Sequence, residues 1–149
     1  MKILISACLL GTACRYDGRR KAHPLAAALA KRHQLVPVCP EQLGGLPTPR
    51  TPSERRGGSV VTAEGADVTE QYRRGAEEAL RLCRLFDCEA AVLKERSPSC
   101  GAGEIYDGTF SGTLTAGWGI TAELLAQNGI AVYGESRIGE LLENLDADK

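Results

Sequence analysis

Four short apolar runs, at residues 2–7, 34–38, 90–93 and 130–133, limit how this chain can fold. Each is rich in Ile, Val, Leu or Ala, too short for a helix, and separated from the next by stretches carrying helix signals. Such alternation predicts an α/β protein in which a mostly parallel sheet is covered by helices on both faces. At 149 residues the chain is long enough to bury one continuous core, so residues 1–149 are expected to form a single domain.

The intervening stretches supply the helices. Pro24 opens one at a position where its missing N–H costs nothing, and an alanine-rich stretch carries it to Arg32. A second is expected over 67–86, with Asp67 as cap, Glu70 as its capping-box partner, and an apolar stripe of Tyr72, Ala76, Ala79, Leu80 and Cys83. A third runs from about Thr121 to the Asn128-Gly129 stop. Ser136 is expected to cap a last one bearing Ile138, Leu141, Leu142 and Leu145.

Two segments resist this pattern. Residues 42–58 hold three prolines and four glycines, and only residues 59–62 beyond them look extended. A connection of that length in a compact domain is usually a lid or a binding loop. Residues 101–119 form a second glycine-rich loop, in which Tyr106-Asp107-Gly108 echoes Tyr16-Asp17-Gly18, and both triplets read as turns. The expected architecture is therefore Rossmann-like, with a long Pro/Gly-rich active-site loop.

The opening KILISACLLGTAC also admits an export reading, a lysine followed by an apolar stretch and small residues before a cysteine. A signal peptide needs roughly 15 to 30 residues with a charged start. Here Ser6, Cys8 and Gly11 interrupt the apolar run almost at once. The strand reading is preferred, which makes the protein cytoplasmic. In that reducing compartment the six cysteines stand for metal binding, catalysis or core packing, and not for three disulfides. No apolar run is long enough to span a bilayer, so no membrane partner is expected. A net charge of −1 and 5% aromatic residues offer neither a basic face nor a stacking platform, which argues against nucleic acid.

On these elements the cysteines divide. Cys8, Cys39 and Cys100 each lie beyond the carboxyl end of an expected strand, the edge where ligands bind in open α/β sheets. Cys83 falls on a helix stripe and Cys88 at the approach to a strand, both positions suited to core packing. Cys14 stands near the same cleft, as a fourth ligand, a redox partner or a loop residue. Three thiolates would leave a metal centre with an open position, as in catalytic zinc or in an iron-sulfur cube with one free iron. Thiolates arriving singly from three loops, with no CxxC pair, fit a cube better than a zinc ribbon.

The other candidate groups are few. Glu41, two residues after Cys39, is a candidate acid or base, against the commoner fate of a solvated loop glutamate. Ser97 and Ser99 flank Pro98 just before Cys100 and offer two hydroxyls, against the plainer reading of a Ser-Pro turn. Neither a GxSxG elbow nor a Walker lysine is present, and His23 and His33 have no triad-like neighbours.

The segments SACLLGTACRYDG, VCPEQLGGLPTPR and LKERSPSCGAGEIYDGTFSGT, with GADVT between them, resemble the 2-thiouracil desulfurase family, and the similarity spans nearly the whole chain. The resemblance implies a 4Fe-4S cluster bound by Cys8, Cys39 and Cys100. It implies non-redox conversion of the thiocarbonyl of a small thio-nucleobase to a carbonyl, with release of sulfide. Glu41 and Ser97 would then move protons. A zinc hydrolase on the same thiolates and a non-enzymatic sulfur-carrying module are the competing readings.

Overall fold

The structure is a computed structural model that describes residues 1–147; Leu145 on the expected last stripe has a side chain outside the described set. At its centre lie strands β1 (Lys2–Ser6), β2 (Gln34–Val38), β5 (Ala90–Leu93) and β8 (Ala131–Gly134), in the order β2-β1-β5-β8. All pairings are parallel, with Ile5 opposite both Pro37 and Val92. The expected parallel sheet is therefore present, its strands shifted by no more than one residue from the apolar runs.

Burial on both faces explains the near-continuous apolar character of the central strands β1 and β5. Ile3, Ile5 and Val92 pack with Leu29, Ile138 and Leu141 from helices α1 (Ala26–Arg32) and α5 (Ile138–Ala147). On the opposite face Leu4, Ala91 and Leu93 meet Ala79, Leu80, Cys83, Ala122 and Leu125, which belong to α3 (Thr69–Leu85) and α4 (Ile120–Gln127). Residues of β1 thus alternate between two cores, as a pleated strand requires.

From β2 the chain returns across β1 to reach β5, so the strand order reverses beside β1. The crevice beyond the carboxyl ends at such a reversal is where open α/β sheets hold ligands.

The connections depart from expectation in three ways. A short helix, α2 (Pro40–Leu43), begins immediately after Cys39. The Pro/Gly-rich segment and its sequel form a hairpin of β3 (Ser53–Arg56) and β4 (Ser59–Thr62), and the second glycine-rich loop folds into another, β6 (Glu104–Tyr106) with β7 (Leu114–Ala116). β4 is the extended piece expected at residues 59–62, whereas turn residues hid β3, β6 and β7. The buried Glu54 carboxylate accepts N–H bonds from Gly108 and Phe110 and so ties one hairpin to the other. Both YDG triplets are turns in which the aspartate accepts the N–H two residues on, from Arg19 and Thr109.

Capping also differs. Asp67 accepts the Thr69 N–H at 2.9 Å, Val68 occupies the cap position, and no side chain caps α3. Ser136 donates to Glu95 at 2.6 Å within a 3-10 turn, Glu135–Arg137, that leads into α5. α1 starts at Ala26, two residues past Pro24.

Helices α2 and α3 touch backbone to backbone. A Cβ on Gly75 would stand 1.9 Å from the Pro40 carbonyl oxygen, and one on Gly44 would stand 1.9 Å from that of Gln71. Only glycine permits this approach, which fixes Pro40 and Glu41 against the long helix. Gly75→Ala is therefore expected to lower stability by about 1–3 kcal/mol through overpacking. Gly139→Ala, in α5 with nothing within 4 Å of the new methyl, is expected to be neutral or to stabilise by up to about 1 kcal/mol. Urea unfolding of the two variants checks both; equal midpoints would show that α2 yields without cost.

Candidate thiol-lined active site

A cleft of about 590 Å³ opens at the carboxyl edge of the sheet, within the range of small-molecule sites, roughly 300–1,000 Å³. Cys8, Cys39, Cys100, Glu41 and Ser97 all line it. The sequence-selected residues therefore share one space, although they come from three separate stretches of chain.

Each is delivered by the end of a regular element. β1 ends at Ser6 and turns into a 3-10 segment, Ala7–Leu10, that carries Cys8 and closes on Gly11 at φ 90°. Cys39 follows β2 directly and occupies the cap position of α2, placing Glu41 in that helix's first turn. Beyond β5 the chain bends so that Ser97 Oγ accepts the N–H groups of Ser99 and Cys100 at 3.0 and 3.1 Å. The first turn of α4 secures the same loop, with N–H bonds from Ile120 to Pro98 and from Thr121 and Ala122 to Ser99.

These bonds separate the two serines. Ser97 uses its lone pairs on the backbone and retains its proton to donate, in a residue that borders the cleft. Ser99 is 1% exposed and its hydroxyl pairs with that of Thr121 at 2.9 Å. Geometry thus favours Ser97 as the hydroxyl facing a ligand.

The remaining cysteines fall as sorted, with one addition. Cys83 and Cys88 are buried in the α3/α4 core, where the Cys83 thiol meets the Cys88 carbonyl at 3.8 Å. Cys14 is 2% exposed yet lines the cleft, and the Cys39 thiol donates to its backbone carbonyl at 3.8 Å. Among the described residues, no three His, Cys, Asp or Glu side chains stand close enough to share a single metal ion. Cys8, Cys39 and Cys100 border a wider space.

Charge is costly for Cys39, Cys100 and Cys14. The bond with Cys14, followed by burial, pushes the Cys39 thiol far above the ordinary range. Burial pushes Cys100 up to about 12, against the easing effect of Ser6 and Ser99. Cys14 is also raised: its bond with Cys39 pulls it down, but its bond with Cys8 together with burial outweighs that. Neutral thiols in this pocket become thiolates when a cation binds, so metal binding there expels protons.

Three contributors had no sequence signal. Arg50, at the end of the proline-rich stretch, bonds to Glu41 and lies in the cleft wall. Tyr72, read from sequence only as part of a helical stripe, is 2% exposed and lines the cleft; burial first, and then the Glu41 charge, raise its phenol well above the usual value. Ser6 accepts the Lys94 N–H at 2.9 Å and so joins the ends of β1 and β5 beneath the cleft. A second hollow of about 690 Å³ lies at the opposite edge of the sheet around Met1, Lys2 and His33 and contains no thiol.

Fold and cleft together define a doubly wound α/β protein with a thiol-walled ligand site. The family model for 2-thiouracil desulfurase matches residues 3–137. YbbK of Bacillus subtilis (strain 168) is 44% identical over 150 residues, covering 94% of this chain and 99% of its own. The solved structure of TudS, a 4Fe-4S-dependent thiouracil desulfidase, is similar with a TM-score of 0.90 at 49% identity, covering 98% of each chain. The chain belongs to the 2-thiouracil desulfurase family.

Exposure ranks the cysteines. Cys8 and Cys39 are partly exposed and the other four are buried. When the folded, metal-free chain is treated with a small alkylating reagent and mapped by mass spectrometry, Cys8 and Cys39 are expected to be modified before Cys83, Cys88 and Cys100. Early modification of Cys83 would contradict its placement in the core.

Proposed function

We propose that this protein is a 4Fe-4S-dependent desulfidase that converts the thiocarbonyl of a thiouracil-like nucleobase to a carbonyl and releases sulfide without net redox change. The observation that carries the reading is the convergence of Cys8, Cys39 and Cys100 on one cleft that also holds Glu41 and Ser97. Similarity to TudS, itself a 4Fe-4S-dependent thiouracil desulfidase, supports the same assignment. The residues fit such a cluster: three thiols from three loops surround a space wider than one ion needs, and none belongs to a CxxC pair. The cysteine content fits a reducing, cytoplasmic setting, and among the described residues no helix is long and apolar enough to cross a membrane.

Held by Cys8, Cys39 and Cys100, the cluster would supply a Lewis-acidic iron suited to a soft thiocarbonyl sulfur. The chain's own groups manage water and protons. Glu41 takes a proton from the water whose oxygen bonds to the thiocarbonyl carbon, and later returns a proton to the departing sulfur. One water is consumed and one sulfide leaves for each carbonyl formed. Ser97 donates its free proton toward the substrate, its oxygen already anchored by two backbone N–H groups. Tyr16, Tyr106 and Phe110 also line the cleft and offer flat apolar surface to a pyrimidine ring.

Substitutions separate ligands from proton carriers. Cys8→Ala, Cys39→Ala and Cys100→Ala are each expected to lose the visible absorption and iron of the anaerobically reconstituted protein, while Cys83→Ala and Cys88→Ala keep both. A folded Cys83→Ala protein without iron would overturn the ligand set. Glu41→Gln is expected to keep the cluster and bind 2-thiouracil, yet release sulfide on the order of 10²-fold more slowly. Ser97→Ala is expected to slow release more than Ser99→Ala. A near wild-type rate for Glu41→Gln would remove that carboxylate from the chemistry.

A further inference from the structure

The Arg50 guanidinium is held by four hydrogen bonds inside the protein and by an ion pair. Nε donates to Glu41 Oε2 at 2.6 Å, and Nη2 stands 2.5 Å from the same oxygen. Nη2 also donates to the Cys14 carbonyl at 2.9 Å. Nη1 donates to Thr48 Oγ1 at 3.0 Å and to the Pro47 carbonyl at 3.3 Å. Arg50 thus lies in the cleft wall with each of its three nitrogens already engaged by the protein.

The pairing with Glu41 is lopsided. A fork-to-fork pair would give each carboxylate oxygen one N–H, whereas here Nε and Nη2 converge on Oε2 and neither goes to Oε1. The Arg50 side chain is 8% exposed and that of Glu41 is 15% exposed. The pair is therefore shielded from the solvent screening that weakens surface salt bridges. The arginine is itself fixed: its N–H donates to the Tyr16 carbonyl at 2.7 Å, and Gln42, next to Glu41 on α2, donates to Thr48 Oγ1 at 2.7 Å.

We propose that Arg50 is a positioning residue that grips Glu41 by Oε2, so that Oε1 is held toward the cleft for the reacting water. This rests on the desulfidase reading above. It adds that the proline-rich segment 47–50 acts in catalysis by carrying this clamp, and that Arg50 makes no direct contact with substrate. A misplacement of about 1 Å at a catalytic group costs on the order of 10²-fold in rate, so losing the clamp is comparable to losing the carboxylate.

Arg50→Gln, Arg50→Lys, Glu41→Gln and the Glu41→Gln/Arg50→Gln double variant, each anaerobically reconstituted, test it. Arg50→Gln is expected to retain iron and absorption, to leave KM for 2-thiouracil within about twofold, and to lower kcat on the order of 10²-fold. Arg50→Lys, which restores a charge but not two converging N–H groups, is expected to recover part of kcat. The double variant is expected to be no slower than Glu41→Gln alone. Urea unfolding of the same metal-free proteins gives a readout independent of turnover: the double variant's midpoint is expected to lie well above the sum of the two single shifts. A rise in KM with kcat preserved would place Arg50 on the substrate and overturn the proposal, as would multiplicative kcat losses or additive unfolding shifts. Absence of sulfide release from wild type would instead bring down the desulfidase reading, and the proposal with it.

Discussion

Parallel pairing of β1 with β2 on one side and β5 on the other is the constraint on which the site depends. Because all three strands run the same way, their carboxyl ends, at Ser6, Val38 and Leu93, finish at one edge. Every segment leaving them must start in the same small volume. Cys8, Cys39 and Cys100 are separated by 31 and 61 positions in sequence, and the sheet alone brings them together. The interleaved burial of Ile3, Leu4 and Ile5 into two cores holds this register, since a slip of one residue would exchange the faces of the central strand.

Around that edge, close backbone packing does what long side chains could not. Glycines 44 and 75 let α2 lie directly on α3, and the first turn of α4 binds the carbonyls of Pro98 and Ser99. The loops bearing Cys39, Glu41, Ser97 and Cys100 are thus tied to helices rather than left free, which suits a site whose groups must be held to within about 0.5 Å. The Cys39 and Cys100 thiols are raised above their usual range, the first by its bond with Cys14 and then burial, the second by burial. A cation placed among them gains what the bare pocket withholds. Glu41 is treated differently, with a buried arginine on one of its oxygens.

The sequence showed the frame more clearly than the walls. Residues 2–7 and 90–93 announced their strands because strands buried on both faces are apolar at almost every position, and residues 34–38, a half-exposed edge strand, did so through the apolar run 35–38. From those ends alone Cys8, Cys39 and Cys100 could be set apart from Cys83 and Cys88. Of the two hairpins only β4, at residues 59–62, was legible: Ser53-Glu54-Arg55-Arg56 is polar throughout, its pairing with β4 rests on backbone bonds, and the partners of the buried Glu54 carboxylate come from the second hairpin. α2 was hidden by its length of four residues. Arg50 could not be paired with Glu41, since nothing in a nine-residue separation through two prolines shows that the chain doubles back.

The most direct measurement of the central claim follows the atoms. Anaerobically reconstituted protein is given 2-thiouracil in water enriched in heavy oxygen, with no reductant or oxidant added, and uracil, sulfide and the label are counted. The account requires one sulfide for each uracil, the new carbonyl oxygen drawn from water, and turnover continuing without an electron donor. Sulfide appearing without uracil, turnover that stops unless electrons are supplied, or a carbonyl oxygen from another source would contradict it.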